Sequence, residues 1–208
     1  MIFFSMNTRP NMLANRWCIC KINLNLVILA SNDQQVTLIF TEHDKTFAIS
    51  AIYASTKYLI KRQLWHNLSA LHSQFSLLWC FIGDFNSILE TCEHRGRITS
   101  VRLPIEDFKA WSELNNLIHL PTKGAEFTWP NGRGGMRHIK RRLDRAFCNQ
   151  VWLDLSYSMF VSTLIKHKFD HFPLFLEMQV SNETFASQFK FMRMWTTHSN
   201  CKNIVKDS

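Results

Sequence analysis

Three short polar motifs in this 208-residue chain contain the residue types from which hydrolytic chemistry is built. They are Gly83-Asp84-Phe85-Asn86, Arg142-Leu143-Asp144-Arg145 and Asp170-His171. The first closes an apolar run, Leu77-Leu78-Trp79-Cys80-Phe81-Ile82, so a buried strand would deliver a carboxylate and a carboxamide to a sheet edge. Side chains two apart on a strand share a face, so Asp84 and Asn86 would point at one ligand. An aspartate can orient a water and accept its proton, and an asparagine can donate its amide to a phosphate oxygen without adding negative charge. Asp170-His171 permits a carboxylate–imidazole arrangement, and a second carboxylate such as Asp144 can hold the ring in one tautomer. Each motif alone has an ordinary reading: a turn after a strand, a solvated ion-pair cluster, or a structural histidine. Together and in order, they point to a site.

A second constellation lies between the last two motifs. Arg133, Arg137, Lys140, Arg141, Arg142 and Arg145, with His138 as a further contact, surround a single acid, Asp144, and follow Trp129 and Asn131. Such density suits tracking along a phosphate backbone with an aromatic ring available for stacking. A solubilising surface loop has the same composition. The formal charge of +8 favours a polyanionic partner.

Hydrophobic content of 46%, with 17 Phe and 7 Trp, excludes a disordered chain and implies a sizeable single core. No apolar run approaches the roughly 18 residues of a membrane span, and the start lacks the basic and apolar regions of a signal peptide. The chain therefore reads as intracellular, with no membrane partner. Cys18-Ile19-Cys20 is not a zinc spacing, and the scattered cysteines read as reduced thiols.

The elements that must position the motifs are legible from periodicity. Three β-rich runs at 24–30, 36–40 and 47–54 suggest an antiparallel meander. Residues 57–75 then switch to helical spacing, with Ile60, Leu64, Leu68, Leu71 and Phe75 on the apolar face and Lys61, Arg62, His66 and Gln74 opposite. A strand at 77–85 and a polar loop at 90–102 follow. Next comes a helix with Pro104 in its first turn and Ile105, Phe108, Trp111 and Leu114 inward. Further strands are expected at 117–120, 126–129, 157–165 and 173–179, with a turn at Asn131-Gly132-Arg133-Gly134-Gly135. Strands and helices do not alternate strictly, which favours a mixed, largely antiparallel layered or sandwich arrangement. Three segments are expected: an irregular 1–16, a domain at 17–180 and an extension at 181–208.

The three motifs, in this order, resemble the endonuclease/exonuclease/phosphatase superfamily, and in particular the endonuclease domains of LINE-type (non-LTR) retrotransposons common in plant genomes. Ile52-Tyr53-Ala54-Ser55, Leu64-Trp65-x-x-Leu68, Phe127-Thr128-Trp129-x-Asn131 and Phe189-Lys190-Phe191-Met192-Arg193-Met194-Trp195 agree with that subgroup. The resemblance implies a DNase I-like α/β (α+β) fold, a four-layer sandwich of two mixed, mostly antiparallel sheets with outer helices. It implies Mg2+- or Mn2+-dependent hydrolysis of a phosphodiester and a nucleic-acid partner, DNA, with no organic cofactor and a nuclear location. By matching position, Asp84 would deprotonate the attacking water, and Asn86 and Tyr53 would contact the phosphate. Asp144 would orient His171, which would stabilise charge on the phosphoryl oxygens, and Asp170 would sit at the metal.

Two departures temper that activity. The family's early Trp-Asn motif and its metal-binding Glu have no counterpart, and the first Glu of this chain, Glu42, follows a strand in a turn. The resemblance therefore implies a domain entered roughly 50 residues in, lacking its first strands and catalytically impaired, with metal occupancy doubtful. Phe169 stands where the family has a small residue, and its bulk is expected to displace Asp170 and His171. The alternative function is a non-catalytic nucleic-acid-binding or interaction protein derived from that domain.

Overall fold

The structure is a computed structural model that describes residues 2–5, 17–20, 26–42, 44–97, 102–153 and 157–180. The first strands, β1 (Ile2–Ser5) and β2 (Trp17–Cys20), pair antiparallel. β1 thus falls inside 1–16, a segment whose sequence shows no usable period. The extension at 181–208 lies outside the described residues.

The principal sheet takes its strands from β3 (Val27–Ser31), β4 (Gln35–Glu42), β5 (Lys45–Tyr53), β6 (Leu78–Asp84), β12 (Asp144–Asn149) and β8 (Leu117–His119), in that spatial order. β3, β4 and β5 form the expected meander. The β4–β5 ladder runs to Glu42 opposite Lys45, and Asp44 beside it stands at φ 60°, a conformation that Asp tolerates. β5 and β6 are parallel, and the required crossover is helix α1 (Tyr58–His72). Helix α2 (Arg102–Leu114) packs beside α1, with the Asn115 amide donating to Ser69 Oγ at 2.8 Å.

Strand alternation divides the core into two. Ala48, Ile52, Trp79, Phe81 and Phe147 face Leu64, Trp65 and Leu68 of α1 and Phe108 and Trp111 of α2. The Trp65, Phe108 and Trp111 rings stack at 5.0–5.8 Å. Phe47, Leu78, Cys80, Ala146 and Cys148 face the other way, onto Val161 and Trp152. Trp152 belongs to the short helix α3 (Gln150–Leu153). Val161 belongs to a second sheet ordered β14 (Leu174–Val180), β13 (Tyr157–Thr163), β9 (Thr122–Lys123). The result is the expected mixed α+β sandwich of two face-to-face sheets with helices outside. Among the described residues, both long helices cover the same face of the principal sheet.

Three details differ from expectation. The buried stripe of α1 is Lys61, Leu64, Trp65 and Leu68, while Ile60 is exposed. Leu114 points to solvent, 83% exposed, at the end of α2. The stretch expected as a strand at 126–129 is mostly a buried loop, with only β10 (Trp129–Pro130) in a ladder. β10 joins β11 (Lys140–Arg141) and β7 (His94–Arg95) in a small third sheet.

Candidate active site

Gly83 is the penultimate residue of β6, at φ +138°, a backbone conformation that favours glycine, and a Cβ there would lie 2.1 Å from the Ile52 carbonyl oxygen. Only glycine lets β6 run against β5 at this point and then turn. Asp84 follows, buried, level with Tyr53 across the parallel ladder and with Asp144 across the antiparallel one. Tyr53 is half exposed at the same sheet end.

Asp144 stands at the start of β12. Its amide and that of Leu143 both donate to Thr128 Oγ1, at 2.9 and 3.0 Å. The Thr128 carbonyl in turn accepts from Phe172 N at 2.9 Å, so one fully buried threonine sets both Asp144 and the loop carrying His171. His171 Nδ1 lies 2.7 Å from Asp144 Oδ2, which leaves Nε2 directed at Asp84 Oδ2 (3.8 Å) and Asp170 Oδ2 (3.9 Å). Those separations exceed a hydrogen bond, so Nε2 has no close partner in either carboxylate. The sequence-predicted Asp84, Asp144, Asp170 and His171 therefore converge. Phe169, next to Asp170, is 65% exposed.

Electrostatics poise the pair. Burial, and then the Asp144 charge, push the Asp84 carboxyl up to about 6. Burial opposes charge on His171, but the hydrogen bond and charge of Asp144 outweigh it and raise the ring above its ordinary value. A base near neutrality beside a readily protonated imidazole matches general acid–base work.

Asn86 sits at φ 45°, with its amide donating to Ala54 O (2.8 Å) and to Asp84 Oδ2 (2.9 Å). Both amide hydrogens are thus committed, and contact with a phosphate requires exchanging one of them. Beneath it lies a residue the sequence placed on the solvent side of α1. Lys61 is buried, and its Nζ donates to the Asn86 carbonyl. Burial lowers its ammonium to about 8, opposed by the charge of Asp84. The signal was present: Lys61 is one turn before Trp65, so a tryptophan that faces the core carries residue 61 with it.

The basic constellation divides. Arg133, Arg137 and Lys140 are exposed on the β10–β11 hairpin, and Arg141 stacks 6.0 Å over Trp129. Arg142 is half-buried. Asn131 is the hairpin's clamp rather than an open contact: Oδ1 accepts from Arg133 N and Ile139 N, and its amide donates to Arg137 O. Arg145 corrects the sequence reading outright. It is fully buried and paired with Glu93 at 2.8 Å, so it braces the site loop and cannot reach a nucleic acid.

Asp84, Asp144 and His171 place possible ligand atoms within 4.8 Å of one another. Asp144 and His171 are bound to each other, which leaves Asp84 and Asp170 as the carboxylates able to face a cation. Carboxylate oxygens are the donors that a hard divalent ion prefers. Glu42 is no substitute. It pairs with Lys45 at one end of β5, while Asp84 pairs with Tyr53 at the other, about 26 Å away at strand rise.

The architecture is DNase I-like, the fold of the endonuclease/exonuclease/phosphatase superfamily. Among solved structures, the endonuclease domain of TRAS1, a telomere-specific non-LTR retrotransposon, matches at TM-score 0.64 and 14% identity, covering 86% of this chain and 80% of that one. Beta toxin of Staphylococcus aureus matches at 0.50 and 11% identity, over 69% of this chain and 56% of the toxin. An endonuclease/exonuclease/phosphatase family protein from Leptotrichia buccalis matches at 0.47 and 14% identity, over 70% of this chain and 53% of its own. No family model and no curated protein matches by sequence. No described helix is long and apolar enough to cross a membrane.

Proposed function

We propose that residues 17–180 form a metal-dependent DNA endonuclease domain of LINE retrotransposon type, acting in the nucleus, with cleavage slowed by how few of the described carboxylates are placed to hold the ion. The observation that carries this reading is the line from Asp144 through His171 to Asp84, with Nδ1 2.7 Å from Asp144 and Nε2 3.8 Å from Asp84. Asp84 holds a water and takes its proton. His171, fixed through Nδ1 by Asp144, offers Nε2 to a non-bridging oxygen of the diester, where negative charge grows. Tyr53 flanks the same oxygen site, and Arg133, Arg137, Lys140 and Arg141 hold the backbone of the strand. Asp84 and Asp170 would hold a Mg2+ or Mn2+ ion, which when bound neutralises charge on the diester.

A second reading, a non-catalytic nucleic-acid-binding or interaction protein of the same descent, draws support from the carboxylate inventory. Among the described residues, Glu93 is spent on Arg145 and Glu42 is remote, so the cation would rest on few carboxylates. A plasmid-nicking assay with Mg2+ or Mn2+ separates the two. Slow metal-dependent nicking is expected, falling by about a hundredfold or more in both Asp84→Ala and His171→Ala. Salt-sensitive DNA binding with no nicking above the background of those two variants would establish the second reading instead.

A further inference from the structure

The loop that carries His171 also bears an apolar and basic surface that the proposed chemistry does not use. It joins β13 to β14 and is tied at its base: Leu164 N donates to Pro173 O at 2.8 Å, and Phe172 N to Thr128 O at 2.9 Å. Leu164, Ile165 and Phe169 are 48%, 79% and 65% exposed. Large apolar side chains scattered singly over a surface need no explanation. Three within six consecutive residues, on a loop held at its base, form a patch of the kind that marks a contact site.

Charge and position indicate what covers it. The Lys166 ammonium lies 5.8 Å over the Phe172 ring, and Lys168 is exposed. The one acid of the loop, Asp170, has Oδ2 3.9 Å from His171 Nε2 and so belongs to the site. Arg133, Arg137 and Lys140, exposed on the β10–β11 hairpin, continue the positive charge beyond this loop, as a polyanionic strand requires. The patch is also continuous with the site, because Phe169 immediately precedes Asp170. Adjacent Cα atoms are about 3.8 Å apart, close to the roughly 3.4 Å between stacked bases of one strand. A strand with a phosphate at His171 therefore brings a neighbouring base within reach of Phe169.

We infer that this loop receives an unpaired nucleotide of the strand being cut, with Phe169 stacking on its base, Ile165 packing beside it and Lys168 meeting the next phosphate. The inference rests on the nucleic-acid reading of the site and deepens it by naming the substrate class, a duplex with an unpaired stretch beside the cut. One base stacked on an aromatic ring is worth about fivefold to a hundredfold in affinity. Extruding a paired base costs about as much or more, so the ring favours a base that is already unpaired.

The test is binding of the whole chain, without divalent metal, to two oligonucleotide duplexes of equal phosphate number over a range of salt. One is fully paired and the other ends in a single-stranded overhang. The overhang is expected to bind about fivefold or more tighter. Phe169→Ala and Phe169→Leu should bring the two within about twofold, and Phe169→Trp should keep the preference, because leucine supplies apolar bulk without a stacking face. Binding to the paired duplex should not change in these variants. Substitutions at so exposed a position are expected to fold. As a second measurement, Lys168→Gln should lower the salt slope by about one on the overhang alone. An overhang preference that is absent, or that survives Phe169→Ala or Phe169→Leu, overturns the inference and leaves the nucleic-acid reading standing. Phe169-dependent binding to phosphatidylserine vesicles, with no effect on the oligonucleotides, overturns it too and makes the loop a lipid contact. Absence of salt-sensitive binding to either oligonucleotide overturns the reading beneath it as well.

Discussion

Replacing Glu93 by alanine is expected to remove about 3–5 kcal/mol of stability, because it leaves the fully buried guanidinium of Arg145 without a counter-charge. Arg145 makes two bonds to the Glu93 carboxylate, at 3.1 and 2.8 Å, and donates to the carbonyls of Ser87 and Arg142. Those carbonyls satisfy hydrogens but do not neutralise charge. Burial pushes the Glu93 carboxyl up, and the hydrogen bond and charge of Arg145 outweigh it, so the net shift is downward from 4.5. A carboxyl lowered in the folded state contributes stability that is complete above that value and is lost as pH falls through the folded one. Urea denaturation checks both points. Glu93→Ala should lower the midpoint strongly at pH 7 and flatten the acid limb below about pH 4.5. Arg145→Met, which removes the charge together with its need for a partner, should cost less. A loss under about 1 kcal/mol for Glu93→Ala would show that the carbonyls suffice.

Gly83→Ala is expected to be of similar size, about 3–5 kcal/mol, or to abolish folding. Its backbone stands at φ +138°, and the added Cβ would lie 2.1 Å from the Ile52 oxygen, so strain and overlap combine. The overlap is with backbone of the adjoining parallel strand, which cannot swing aside as a side chain does. Gly132→Ala is the matched control. It also has positive φ, at +68°, but nothing lies within 4 Å of the added carbon, so about 1 kcal/mol is expected. Thermal melts of the two variants should differ widely. Equal losses would mean that dihedral strain, and not contact with β5, makes Gly83 necessary.

Particular elements show why some of this was readable in the sequence. The runs at 36–40, 47–54 and 77–85 become β4, β5 and β6 because each is apolar on both faces, as strands between a helical layer and a second sheet must be. The strand β12 went unread although all six of its residues are buried. It opens with Asp144 and Arg145, which look like surface charge, and nothing local reveals that Glu93, from a loop far back in the chain, neutralises Arg145. The same long-range pairing made Arg145 look like a nucleic-acid contact. Lys61 misled in the opposite direction, since a buried lysine is rare and its acceptor is a carbonyl on a distant loop. Asp84, Asp144 and His171 were readable as a group because the order of their motifs identifies them. Their placement needed Thr128, which joins two of them through backbone bonds that no side-chain pattern advertises.

Asp84 and Asp144 are direct cross-strand partners, two acids facing each other in a ladder where like charges oppose pairing. The charges of His171 and Lys61 offset part of that opposition at the sheet end, and a bound cation would relieve the remainder. By mass action, whatever neutralises that pair favours the folded form in proportion to its occupancy. Unfolding temperature then becomes a gauge of cation binding that needs no substrate and no turnover. A Mg2+-dependent rise is expected in the native chain and should vanish in Asp84→Asn, where the opposition of charges is already gone. The strand register that builds the site thereby makes the fold itself the instrument that senses its cation.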